Sequence, residues 1–595
     1  ERHYDGDART TPPADVVLVE GVGAAAAAAA PFLDAVIWTD APDDARKARA
    51  LNRDGDTYGP YWEQWAGQEE AWLAVDDVAS RADMRVLNHA DGGAPAEALQ
   101  ALLHLPSLAA VLHPEREARR GLQLLGERID AAPDAARLFA ALYGGSERAV
   151  WLDASLTSDP AGRGRFSILA DDGGSHGQSV RHHSGRTCVS VGNSTATTAG
   201  GFFRWLDAAW GGHSLHSPDG YGCEFALGWL GYLGYELKRE TGGSDVESPV
   251  PDAALIFAGR AVVLDHLEGA VWLLALEAPD AADWLQNARA AVTASEAPLP
   301  SAVQPPPAPP AFSARDSESG YKARIAAAKH QIAEGNTYEV CLTTTLTAVV
   351  PAGSISPWQT YLALRRRNPA PFGSFLRLGG LAVASTSPER FLRIAADGAM
   401  RAEPIKGTRR RGADPARDGE LRRELESSPK DRAENIMIVD LLRNDLSHFA
   451  VPGSVSVRRL CAIESYATVH QMVSTIDAQL RPGMPRAEAL AACFPAGSMT
   501  GAPKVSTMAI LDRLEAGPRG VYSGAIGYFS LTGATDLAVA IRTLVMDDGG
   551  DGQTALSLGV GGAITADSDP AEEYEEIRTK AFGVLSALGA VFPAG

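Results

Sequence analysis

The stretch Arg401-Ala-Glu-Pro-Ile-Lys-Gly-Thr-Arg-Arg-Arg411 decides how the rest of the chain is read. Pro404 has no amide hydrogen and a fixed φ, so no regular helix runs through it. Gly407 lets the backbone turn sharply beside Lys406. A lysine on such a turn is positioned rather than free to wave. A buried lysine near other cations loses proton affinity and becomes a nucleophile. A lysine beside glycine is more often a solvated surface residue, so the neighbouring segments have to decide.

Two of those segments are acidic helices. In Asp431-Arg-Ala-Glu-Asn-Ile-Met-Ile-Val-Asp-Leu-Leu-Arg-Asn-Asp445, helical spacing puts Asp431 and Glu434 on one face, with Met437 and Leu441 continuing the stripe. Asp567-Ser-Asp-Pro-Ala-Glu-Glu573-Tyr-Glu-Glu576-Ile-Arg-Thr-Lys580 starts a helix after Asp and Pro, and Glu573, Glu576 and Lys580 again share a face. Each helix alone could be a solvated face with i, i+4 ion pairs. Together they offer carboxylates from two directions, which suits a hard divalent cation such as Mg²⁺.

Bulk composition narrows the class. The 595 residues are 45% hydrophobic and 22% charged, ordinary for a globular protein and long enough for several domains. No run of about 18 apolar residues occurs, so no membrane span is expected; the alanine run Ala24–Ala30 is too short. A net charge of −20 argues against nucleic acid or an anionic membrane as partner. The five cysteines, Cys188, Cys223, Cys341, Cys461 and Cys493, show no CxxC spacing, which favours a reducing cytoplasm over a disulfide framework. A small anionic substrate would need its own local cations or metal.

Four regions follow along the chain. Residues 1–105 read as a separate small α/β unit, with strands at Val16–Glu20 and Asp34–Trp38 and a basic helix at Asp43–Leu51. This stretch resembles the back half of a P-loop nucleotide kinase, although the GxxxxGK[ST] loop is missing from the whole sequence. Residues 115–295 hold short apolar strands, among them Val150–Asp153, Phe225–Leu233, Ala254–Phe257 and Ala261–Leu264. Residues 296–312, with seven prolines between Pro298 and Pro310, read as a stiff connector. Residues 313–595 carry the densest motifs.

Those motifs come in a fixed order: PIKGT at 404–408, ENIMIVDLLRND at 434–445, FPAGSMTGAPK at 494–504, YSGAIGY at 522–528, AIRT at 540–543 and GGAITADSDP at 561–570. In order and spacing they resemble the chorismate-utilising enzymes, with weaker support from WLDAS at 151–155 and GYLGYELK at 231–238. That family includes anthranilate, aminodeoxychorismate, isochorismate and salicylate synthases. The resemblance implies an α/β (α+β) fold with large β-sheets packed against helices, and Mg²⁺ as cofactor. It places Glu434 and Glu576 on the metal, with Asp431 and Glu573 beside them. Gly407, Thr408, Tyr522, Arg542, Gly561, Gly562, Ala563 and Lys580 become substrate contacts, and His470 lies near the ring hydroxyl. Asp153 and Ser155 match a segment that binds tryptophan in relatives.

Two positions distinguish the branches. Where isochorismate and salicylate synthases carry a water-activating lysine, this chain has Glu339 in Thr337-Tyr-Glu-Val-Cys-Leu-Thr-Thr344. Where anthranilate synthases carry PIAGT, this chain has Lys406 in PIKGT, as in the branch that aminates chorismate at C4. The resemblance therefore implies attack of Lys406 on C2 as the C4 hydroxyl leaves, proton transfer by Glu389, and displacement of the lysine by ammonia. None of the five cysteines sits on the Gly-flanked turn of a glutaminase nucleophile, so ammonia is expected from a separate glutamine amidotransferase subunit or from solution. The alternatives are an anthranilate synthase component I and a catalytically inactive chorismate-binding or regulatory protein.

Overall fold

The strands Gly228–Leu233, Ala253–Ala258 and Ala270–Leu276 are buried at every residue. Such strands must be covered on both faces, which places the middle of the chain inside large sheets rather than in a peripheral layer. The computed structural model describes residues 14–57, 59–88, 95–119, 121–155, 162–210, 215–296, 308–466 and 469–593. It divides into two compact units: residues 1–121 with 188–198, and residues 122–187 with 199–595.

The larger unit is built on antiparallel sheets. One has twelve strands, and its path runs Ser313–Ala314, Glu339–Pro351, Gln553–Ile564, Thr543–Asp548, Leu381–Ser387, Phe372–Leu378, Arg148–Asp153, Phe166–Asp171, Arg260–Asp265, Ala270–Leu276 and Leu124–Ile129. The short strand Gly501–Ala502 pairs beside Glu339 at one edge. The other sheet passes from Gln178–His183 through Ala253–Ala258, Gly228–Leu233, Ala525–Ser530, Thr535–Val539, Arg390–Ile394 and Ala399–Glu403 to Val469–Gln479, which also pairs Ile405–Arg410 and Ser456–Ser465.

Residues 115–295 and 313–595, successive regions of the sequence, contribute strands to the same sheets. Arg148–Asp153 hydrogen-bonds to Phe372–Leu378, and Gly228–Leu233 to Ala525–Ser530. An apolar strand is stable only with neighbours on its edges and cover on its faces, and here the partners come from across the connector. Most of the Pro-rich connector lies outside the described residues; the part that is described ends in buried Phe312, which belongs to the main core with Trp151, Tyr321 and Phe375.

The smaller unit pairs Ile37–Asp40 in parallel with Met84–Leu87, and Met84–Val86 antiparallel with Ser194–Ala196. The helix Asp43–Asp54 follows the first strand, close to the predicted basic helix. Its core is small: Met84, Ala101, Leu105, Val191 and Ala196. The strand predicted at Val16–Glu20 does not form. Val16, Val17, Leu18 and Val19 are all exposed, because nothing among the described residues supplies a pairing edge. No helix among the described residues is long and apolar enough to cross a membrane.

Candidate active site

Ile405–Arg410 forms a strand and not a helix, as Pro404 requires. Its register against Val469–Gln479 shifts between Lys406 and Thr408, so Gly407 sits in a bulge with φ +76°. That conformation suits glycine, and a Cβ at Gly407 would meet Asp431 Oδ1 at 2.7 Å and Leu425 Cδ1 at 2.8 Å. The bulge turns Lys406 inward, 9% exposed, while Thr408 is exposed.

Lys406 Nζ lies 2.5 Å from Glu339 Oε1. Glu339 opens the strand Glu339–Pro351 of the other sheet and is fully buried. The lysine thus bridges the two sheets. Burial pulls its proton affinity down, but the carboxylates of Glu339 and Glu434 outweigh this and hold it above the usual lysine range. The sequence predicts a lysine made nucleophilic by neighbouring cations. That is corrected: the groups around Lys406 are acids, so it is held protonated until one of them accepts its proton.

The acids come from the two helices the sequence indicated. Ser428 caps Pro429–Ser447, and Asp569 caps Pro570–Ala587 through the amides of Ala571 and Glu572. Glu434 is buried, has no hydrogen-bond or ion-pair partner among the described residues, and is pushed up to about 7 by burial. Glu573 and Glu576 converge over the strand end: a Cβ at Gly562 would lie 3.2 Å from Glu573 Oε2 and 3.7 Å from Glu576 Oε1.

The four acids differ in how far they are already engaged. Asp431 Oδ2 accepts from Arg409 at 3.0 Å. Glu573 Oε1 accepts from Ser568 at 2.7 Å and from Lys430 at 3.3 Å. Glu576 pairs with Lys580 at 2.6 Å, and Lys580 also donates to the Gly561 carbonyl at 2.8 Å. Among the described residues no three His, Cys, Asp or Glu side chains stand ready to hold a metal by themselves. Glu434 and Glu576 nonetheless offer the donor set Mg²⁺ takes, one or two carboxylates with remaining ligands from water and an anionic substrate.

Glu389 follows the strand Leu381–Ser387 and is buried. Burial raises its carboxyl to about 7 against the opposing effects of a Ser498 hydrogen bond and the charges of Lys406 and Lys580. Arg542, which feels Glu389 in turn, adopts a left-handed φ of 51° and is exposed. Its guanidinium has no hydrogen-bond or ion-pair partner among the described residues. Tyr522 is buried, and burial holds its hydroxyl well above the usual range. The site as a whole combines a buried amine, a buried carboxyl group raised to about 7, two acids fit for a cation and an unpaired guanidinium.

Other sequence candidates have hydrogen-bond partners within the protein. His470 is buried, with Nδ1 against Ser465 at 2.8 Å and Nε2 against Asp418 at 3.0 Å. Asp153 accepts from Tyr361 at 2.8 Å and Arg365 at 2.6 Å, and Ser155 exchanges hydrogen bonds with the backbone of Ala370. Sequence reasoning missed Ser498, Lys430 and Arg409. Ser498 lies inside a quoted motif, and Lys430 and Arg409 adjoin two others, so their positions were visible but not their partners.

A family model described as chorismate binding enzyme matches residues 172–586. The aminodeoxychorismate synthase of Streptomyces griseus is 45% identical over 487 residues, 80% of this chain and 65% of that protein. Aminodeoxychorismate synthase component 1 of Klebsiella aerogenes is 39% identical over 369 residues, 61% of this chain and 78% of that protein. Among solved structures, anthranilate synthase component I from Streptococcus pneumoniae TIGR4 matches with a TM-score of 0.59 and 25% identity, over 71% of this chain and 92% of that one. The chain spans less than two thirds of the length of the Streptomyces griseus relative.

Proposed function

Because this chain belongs to the chorismate binding enzyme family, we propose that it aminates chorismate at C4 to 4-amino-4-deoxychorismate, through a covalent intermediate on Lys406. The observation that carries this reading is a buried primary amine, Lys406, set between Glu339 and Glu434 in the motif PIKGT. The 45% identity to an aminodeoxychorismate synthase supports it.

Arg542 takes one substrate carboxylate, since a guanidinium fork matches that group and this one has no internal partner. Tyr522, Lys580, Thr408 and the backbone of Gly561, Gly562 and Ala563 complete the contacts. Glu434 and Glu576, with Asp431 and Glu573 beside them, would hold Mg²⁺, and the ion would neutralise carboxylate charge there. Lys406 Nζ forms a bond to C2, the two ring double bonds shift, and the C4 hydroxyl leaves with a proton from Glu389. Ammonia then bonds to C4, the double bonds return, and the Lys406–C2 bond breaks. His470, on the strand Val469–Gln479 that pairs with Lys406's own strand, is the histidine placed near the ring hydroxyl.

Ammonia comes from a glutamine amidotransferase or from solution. The thiols of Cys223 and Cys493 are raised to about 12 by burial and are unfit as glutaminase nucleophiles. The test is incubation with chorismate, Mg²⁺ and ammonium, with products identified by mass and ultraviolet spectrum. An amino product that retains the enolpyruvyl group is expected. Anthranilate with released pyruvate would make the chain an anthranilate synthase instead, and unchanged chorismate would leave only a binding protein.

A further inference from the structure

Glu339 is the residue that departs most from its expected role. The sequence marked it as the replacement for a water-activating lysine, and the structure gives it a partner 67 positions away. Its Oε1 meets Lys406 Nζ at 2.5 Å, its Oε2 has no partner, and the residue is fully buried. The backbone that carries it is fixed from both sides: Glu339 pairs with Ala502, Val340 with Ile564, and the Glu339 carbonyl accepts from Thr337 Oγ1 at 2.9 Å. A fixed carboxylate with one free oxygen against a primary amine fits an acceptor of that amine's proton.

A purely structural ion pair is the competing account. Burying two charges costs about as much as their attraction returns, and apolar residues of similar volume often serve stability as well or better. A polar atom left unsatisfied in full burial adds a further cost. Stability therefore gives no reason for this arrangement, and chemistry does.

We propose that Glu339 is the positioning residue that aims Lys406 and accepts its proton as the amine attacks the substrate. The inference rests on the amination reading above. In the step, an N–H proton of the Lys406 ammonium passes to Glu339, and the freed electron pair forms the Nζ–C2 bond. The ring double bonds shift, the C4–O pair leaves, and Glu389 protonates it to water. One acid gains a proton and another loses one, so no outside acid or base is consumed. The charged or titratable groups facing Lys406 are Glu339 and Cys341 on one strand, Glu434 and Glu576 on the two helices, and Glu389 on its loop.

The experiment compares Glu339→Gln with wild type from pH 7 to pH 9, with chorismate, saturating Mg²⁺ and fixed total ammonium. Taking the ratio of their kcat/KM values cancels the titration of ammonia and of every group the two proteins share. At pH 7 the variant should be about a hundredfold slower, the usual contribution of a positioned base. The ratio should then rise about tenfold per pH unit as bulk base removes the Lys406 proton instead. Glu339→Ala carries the test if the glutamine variant does not fold: formate should restore its activity saturably. A Glu339→Gln ratio that stays constant with pH, or an alanine variant that formate does not rescue, overturns the proposal. A wild type that makes no amino product overturns the amination reading, and this inference with it.

Discussion

Two buried clusters of charge in the larger unit have opposite completeness. Around Asp153, both carboxylate oxygens are engaged by Arg365 and one also by Tyr361, and Arg365 lies 5.1 Å over the ring of Trp151. Phe139 and Phe375 close the cluster with apolar surface. Around Lys406, by contrast, buried Glu339 keeps an unpaired oxygen and buried Glu434 has no partner among the described residues; the guanidinium of Arg542, exposed beside Glu389, has none either. In the first cluster the charged groups are all paired and only the Trp151 indole N–H lacks a hydrogen-bond partner; in the second the charged groups themselves are left open to a ligand. Unsatisfied buried polar groups cost stability, so where a fold keeps several together the reason is function.

The contrast can be broken at several points. Lys406→Ala should reduce amination about a thousandfold or more while circular dichroism stays unchanged, because it removes the nucleophile and not a packing element. Arg542→Ala should cost roughly tenfold to a hundredfold in kcat/KM, mainly through KM, the loss of one charge-assisted fork to a carboxylate. Steady-state kinetics with varied chorismate separates the two.

Glu389 gives a pH signature. Its carboxyl is raised from 4.5 to about 7, so as a general acid it acts in the protonated form, and kcat should fall about tenfold per pH unit above about 7. Stability has its own sign. The native state binds this proton more tightly than the unfolded chain, so stability falls as pH rises from about 4.5 to about 7 and is flat beyond. The effect is on the order of 3 kcal/mol. Glu389→Gln should remove the kinetic limb and its own share of the stability loss between about pH 4.5 and pH 7, while Glu434 and Glu236, also raised to about 7, keep theirs.

The smallest effect on activity should come from the closed cluster. Asp153→Ala leaves Arg365 without its carboxylate and should cost about 3 kcal/mol of stability, read as a lower Tm. Its kcat/KM should stay within about twofold of wild type. A kinetic loss comparable to that of Arg542→Ala would erase the distinction between the clusters.

Much of the open cluster was legible in the sequence. The motif PIKGT, the acidic helix faces and the Asp569 cap each obey local rules, and local rules are written in neighbouring residues. The pairing of Lys406 with Glu339 was not legible, because it joins two sheets whose approach depends on the whole fold. For the same reason the interleaving of Arg148–Asp153 with Phe372–Leu378 could not be read from strand patterns alone. Val16–Glu20 shows the limit from the other side. Its apolar run has the composition of a strand, but composition cannot supply an edge to pair with.

The account stands or falls on what Lys406 does when chorismate arrives without ammonia. Intact-mass measurement of acid-quenched protein, followed by peptide mapping, should find a population heavier by chorismate less one water, with the addition on Lys406 and none in Lys406→Ala. Protein that turns chorismate over with ammonium, yet carries no such addition under any quench, would contradict covalent catalysis at this lysine.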